Sequence, residues 1–153
     1  MKKLVFVLMI LVLALPFTSA LAGIGPSPER VTEIIWSFQK TYPDGYLWSG
    51  EEAGEEPNFL QMVSDAVFGS SSARLKAVDY NALRPGDILR IKKNTYSVMV
   101  IEKYESHVSV VEVWTDYRGE SRVYWGRTMS KSAVEAADCI ITRYPAYTLH
   151  IAE

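Results

Sequence analysis

Leu83-Arg84-Pro85-Gly86-Asp87-Ile88-Leu89-Arg90-Ile91 is where the chain changes its hydrophobic period. Arg84-Pro85-Gly86 is turn chemistry, because proline presets one backbone angle and glycine accepts conformations that other residues avoid. From Asp87 onward, apolar residues recur at every second position, the spacing that lays one face of a strand against a core. The expected strands are Asp87–Ile91, Tyr96–Lys103, His107–Val113 and Ser121–Trp125. Lys92-Lys93-Asn94-Thr95, Tyr104-Glu105-Ser106 and a turn at 116–119 join them, and links this short make antiparallel hairpins. Ser132-Ala133-Val134-Glu135 reads as a capping box for a short helix. A last strand, Cys139–Tyr144, ends at Pro145.

Upstream of Leu83 the period is helical. Ser27-Pro28-Glu29 is a helix start, with a capping hydroxyl, proline in the first turn and an early acid. Val31, Ile34, Ile35 and Phe38 follow at the spacing of one apolar stripe. Tyr42-Pro43-Asp44-Gly45 stops this helix and turns the chain. A loop rich in Gly and Glu runs from Tyr46 to Glu56, and a second helix begins near Pro57. Phe59, Met62, Val63, Ala66 and Val67 form its buried face, and Gly69 ends it. These elements specify an α+β domain, with N-terminal helices packed on a curled antiparallel sheet of about five strands.

The 153 residues suit one domain. Lys2 and Lys3 precede an apolar run from Leu4 to Leu15, which Pro16 breaks before Ala20-Leu21-Ala22. The run is 12 residues long, short of the ~20 that a spanning helix needs. It reads as a signal peptide over residues 1–22, leaving 23–153 as a secreted or cell-envelope domain without a stable membrane anchor. The chain carries 16 Lys and Arg against 18 Asp and Glu. The basic residues are scattered, unlike the clustered footprint of a nucleic-acid binder. One cysteine, Cys139, forms no intramolecular disulfide, and with only His107 and His150 beside it the chain lacks the donors of a multi-cysteine zinc site. No metal and no cofactor is expected.

The order of several motifs resembles a known family. Tyr42-Pro43-Asp44-Gly45, then Met62-Val63-Ser64-Asp65-Ala66-Val67-Phe68-Gly69, then the Leu83–Ile91 stretch, Thr95-Tyr96-Ser97-Val98-Met99-Val100, Trp125-Gly126-Arg127 and Ile141-Thr142-Arg143-Tyr144-Pro145 are similar to exported bacterial papain-like cell-wall cysteine peptidases and amidases, the CHAP-like group. The resemblance covers roughly Val31 to Pro145 and implies a papain-like fold. It also implies a chemistry. A cysteine at the N-terminus of the second helix is ionised by the helix dipole, a histidine on a facing strand serves as base and then acid, and a polar residue on the next strand orients that histidine.

Carried onto this sequence, the nucleophile position falls on Glu56, counting back from Ser64-Asp65. The histidine position falls on Tyr96. The orienting position, after the strand glutamate matched by Glu112, falls on Trp114. All three depart from the catalytic pattern. A carboxylate is a poor nucleophile for an amide, a phenol near its reference pKa of about 10 is a poor base at neutrality, and an indole only donates. The resemblance therefore implies a pseudoenzyme, with Glu56, Tyr96 and Trp114 as degenerate catalytic positions.

Trp48, Tyr46, Glu56, Tyr96 and Trp114 form the expected ligand groove, since aromatic walls suit sugars and peptides. The expected partner is a cell-wall peptide or glycan, or a secreted protein. Cys139 reads as a small buried hydrophobe rather than a relocated nucleophile paired with His107. Glu51, Glu52, Glu55 and Glu56 lack the spaced ligands and sharp glycine turn of a calcium loop and read as a solvated acidic loop. Two alternatives stand: an active envelope hydrolase that uses Glu56 with another carboxylate, and a purely structural interaction module.

Overall fold

Residues 25–49, 59–93 and 95–145 are described in the computed structural model of the chain. The signal segment, Glu51, Glu52, Glu55, Glu56, Pro57 and His150 lie outside these described residues. Helix α1 spans Pro28–Gln39, and the Ser27 hydroxyl accepts from the Arg30 amide at 3.3 Å. Val31 and Ile35 carry its stripe into the core. Two side chains of the same helix reach the sheet: Thr32 donates to the Ile101 carbonyl and Trp36 Nε1 to Glu102, both at 3.1 Å. Helix α2 spans Phe59–Phe68 and buries Phe59, Leu60, Val63, Ser64, Val67 and Phe68.

The strands are β1 (Arg74–Lys76), β2 (Ile88–Ile91), β3 (Tyr96–Lys103), β4 (His107–Thr115), β5 (Ser121–Ser130) and β6 (Cys139–Thr142), with α3 (Lys131–Glu135) before the last. They form one six-stranded antiparallel sheet in the order β1-β6-β2-β3-β4-β5. The count of about five is thus corrected to six. The added strand is β1, whose Leu75 is 73% exposed, so no buried alternation marks it. Strand β5 also continues past Trp125. Gly126, at φ +72°, is the extra residue where the β4–β5 register shifts, and the bulge lets pairing resume at Arg127. The cap of α3 is Ser130, two residues before the expected Ser132; its hydroxyl accepts from the Ala133 amide at 3.2 Å.

Both faces of the sheet are covered. On one, Val31, Ile35, Phe59, Val63 and Val67 of the helices pack on Ile88, Met99, Ile101, Val111, Val123 and Trp125. On the other, Leu89, Val98, Val100, Val108 and Val110 pack on Tyr80, Leu83 and Val134. This explains why Val98 to Ile101 is an unbroken buried run. The outer edge of β5 is paired too: Gly45 donates to Val123 and Trp48 to Ser121, each at 2.8 Å, while Val123 donates to Tyr46 at 3.0 Å. The segment after α1 thereby satisfies backbone groups that an edge strand leaves open.

Candidate functional site

Side chains alternate along a strand, so register decides which residues α2 meets. Met99 and Val111 lie on the helix face. Ser97 and Val113, two residues away along β3 and β4, therefore share that face. Tyr96 packs with the opposite cluster, and Glu112, level with Val98 across the ladder, shares its side. The two-residue period places Trp114 there as well. Tyr96 and Trp114 do meet, edge to face, with ring centres 5.9 Å apart. They meet on the side of the sheet turned away from α2.

Two cavities share these rings as a rim. The first, about 420 Å³, lies between the early part of α2 and the ends of the central strands. Leu60, Gln61 and Ser64 border it from the helix, and Ile88, Arg90, Ser97, Val113 and Ile141 from the sheet. Lys92, Thr95, Tyr96, Trp114, Thr115 and Arg143 also border it. The second is on the far face and is bordered by Asp44, Lys92, Tyr96, Glu112, Trp114, Tyr124 and Arg127. Here the Tyr96 hydroxyl donates to Glu112 Oε2, and Arg127 Nη1 donates to Oε1 at 2.6 Å. Glu112 is 3% exposed, so these two donors replace the water it loses. Asp44, the other carboxylate at this cavity, accepts from the Trp125 amide at 2.9 Å.

The remaining sequence candidates among the described residues are elsewhere. Trp48 and Tyr46 border neither cavity. Both rings pack edge to face on Tyr42, and Trp48 also on Phe59. Glu56 lies outside the described residues. Cys139 begins β6 opposite Arg90. His107 begins β4, six residues before Val113, which sets it roughly 20 Å down the strand at about 3.3 Å per residue. Its ring stacks on Tyr104 with centres 4.5 Å apart. Neither residue borders either cavity. Sequence reasoning missed Ser97, the β3 residue under α2; the buried Met99 two positions on was the signal that could have found it.

Comparison of the chain with protein-family models, with curated proteins and with solved structures yields no match.

The cavity under α2 offers hydroxyls from Ser64, Thr95, Ser97 and Thr115, cations from Arg90, Lys92 and Arg143, and apolar walls. Arg143 also holds Asp65 and the Gly69 carbonyl, which ties the loop after α2 to the end of β6. Among the described residues, no group of three or more His, Cys, Asp or Glu could hold a metal ion. Such a cavity can orient and hold a polar organic molecule.

Proposed function

We propose that the protein is an exported papain-like domain without catalytic machinery, a pseudoenzyme that binds a cell-wall peptide or glycan. The binding place is the cavity under α2. The observation that carries this reading is the juxtaposition of the early α2 turn with Ser97 and Val113 of two adjacent strands. In the family that the motif order resembles, a helix start and two adjacent strands supply the nucleophile, the base and the orienting group. Here the early turns of α2 and strands β3 and β4 border a cavity of about 420 Å³, within the ~300–1,000 Å³ range of ligand pockets, and its lining is hydroxyl, cationic and apolar.

The mature protein, incubated with insoluble wall material and pelleted, is expected in the pellet. Mass spectrometry of soluble wall fragments after incubation is expected to match a heat-denatured control. Absence from the pellet removes the wall ligand. New products above the control remove the assignment as a pseudoenzyme.

A further inference from the structure

Among the described residues, the cavity under α2 is one-sided in charge: Arg90, Lys92 and Arg143 border it and no carboxylate does. Arg143 is already paired with Asp65, and Arg90 also has a partner. Lys92 differs. Its side chain is exposed, its ammonium is 5.7 Å from the ring centres of both Tyr96 and Trp114, and among the described residues no carboxylate pairs with it. Ser97 borders the cavity, and its Oγ is buried with no hydrogen-bond partner among the described residues. Leaving such a hydroxyl unpaired costs about 1–3 kcal/mol, so a ligand atom that pairs with it is favoured there.

We propose that this cavity takes a peptide ending in a free carboxylate, held by Lys92 and the Ser97 hydroxyl, with its apolar side chain against Leu60, Val113 and Ile141. The proposal rests on the binding reading above and names the class of its ligand. A bare inorganic anion would satisfy the cations but leave those three apolar walls in water. A peptide satisfies both, and charge-assisted hydrogen bonds to its carboxylate are the stronger kind.

Titration calorimetry with N-acetyl-alanyl-alanine, in each stereoisomer, and with the matching C-terminal amides tests this. At least one free acid is expected to bind tenfold or more tightly than its amide, with inorganic phosphate weaker than that acid. Lys92→Asn is expected to weaken the acid at least fivefold. Asparagine tolerates the left-handed backbone at this position, φ +53°, so the fold is kept. Ser97→Ala is expected to weaken it two- to fivefold at a melting temperature no lower than that of the wild type, since the variant removes an unpaired buried hydroxyl. Equal binding of acid and amide, phosphate binding more tightly than the peptide, or wild-type affinity in both variants overturns the proposal. Pelleting with wall material alongside equal acid and amide affinity would remove the carboxylate and keep the wall ligand. Acid preference without pelleting would do the reverse.

Discussion

The Tyr96 hydroxyl donates to the buried carboxylate of Glu112 on the sheet face turned away from α2. Arg127 holds the other oxygen at 2.6 Å, so a charge removed from water has both oxygens paired. Arg127→Ala is expected to cost about 1–3 kcal/mol, the range for a buried acceptor that loses its donor. The Arg127 side chain is 59% exposed, so its Coulombic share is screened and the hydrogen bond dominates. Tyr96→Phe is expected to cost a similar amount. Urea unfolding of the two single variants and the double should show coupling, because both donors serve one carboxylate.

Gly86 sits between the turn at Arg84-Pro85 and the start of β2, at φ +85°. An added Cβ would lie 2.9 Å from both Phe68 Cε2 and Val31 Cγ1. Gly86→Ala combines a left-handed penalty of ~1–2 kcal/mol with overpacking of ~1–3 kcal/mol. The expected loss is about 2–5 kcal/mol in urea unfolding. A loss below 1 kcal/mol would mean that α1 and α2 can move apart at no cost.

Two carboxylates should give pH effects of opposite sign. Burial pushes Asp87 above its ordinary range, against the opposing hydrogen bonds from the Thr142 side chain and the Arg84 amide. Its native form then binds a proton more readily than its unfolded form, so its ionisation costs stability as pH rises through the native value. Glu102 is the reverse. Hydrogen bonds from Tyr104 and then Trp36 hold it below its ordinary range. Its contribution is present above the unfolded value and is lost as pH falls through the native one. Asp87→Asn should therefore raise the melting temperature at pH 7 by a few degrees, with the gain shrinking toward acid. Trp36→Phe should lower it at pH 7, with the deficit shrinking toward acid. Melting curves between pH 3 and pH 8 check both signs, and a gain for Asp87→Asn that grows in acid refutes the first.

The helices and most strands were legible because their signals are local. Ser27-Pro28-Glu29 caps α1 and its apolar stripe follows within a dozen residues, and Ile88–Ile91 and Val98 to Ile101 run apolar or alternate as a covered sheet must. Strand β1 was not legible, because Leu75 points into solvent and only pairing with β6 makes Arg74–Lys76 a strand. Gly126 reads as a strand end by chemistry, and only the facing register of β4 turns it into a bulge. The site suffered from the same limit. Motif order brings Tyr96 and Trp114 to neighbouring strands, but a one-residue difference sends a side chain to the other face. Ser97, not Tyr96, lies under α2 for that reason. Tyr46 and Trp48 suit a groove by residue type, but Tyr42 and Phe59 hold Trp48 against the helix-face core, and Tyr46, 41% exposed, packs on Tyr42 beside the outer edge of β5.

Two tryptophans separate binding from folding. Trp125 is buried, with its Nε1 donating to the Tyr42 carbonyl at 2.7 Å and its ring packed on Trp36 and Phe59. Trp125→Ala should cost about 3–5 kcal/mol, as large aromatic deletions in cores do. Trp114 is 44% exposed at the rim that both cavities share, touching Tyr96 and facing Lys92. Trp114→Ala should cost less than about 1.5 kcal/mol, the upper value for an aromatic pair. It should still cut pelleting with wall material severalfold, since an exposed indole beside a cavity contributes to the ligand more than to the core. The paired measurement is urea unfolding with pelleting on the same preparations. Full pelleting by Trp114→Ala would move the ligand off this rim, and a stability loss equal to that of Trp125→Ala would make Trp114 a core residue.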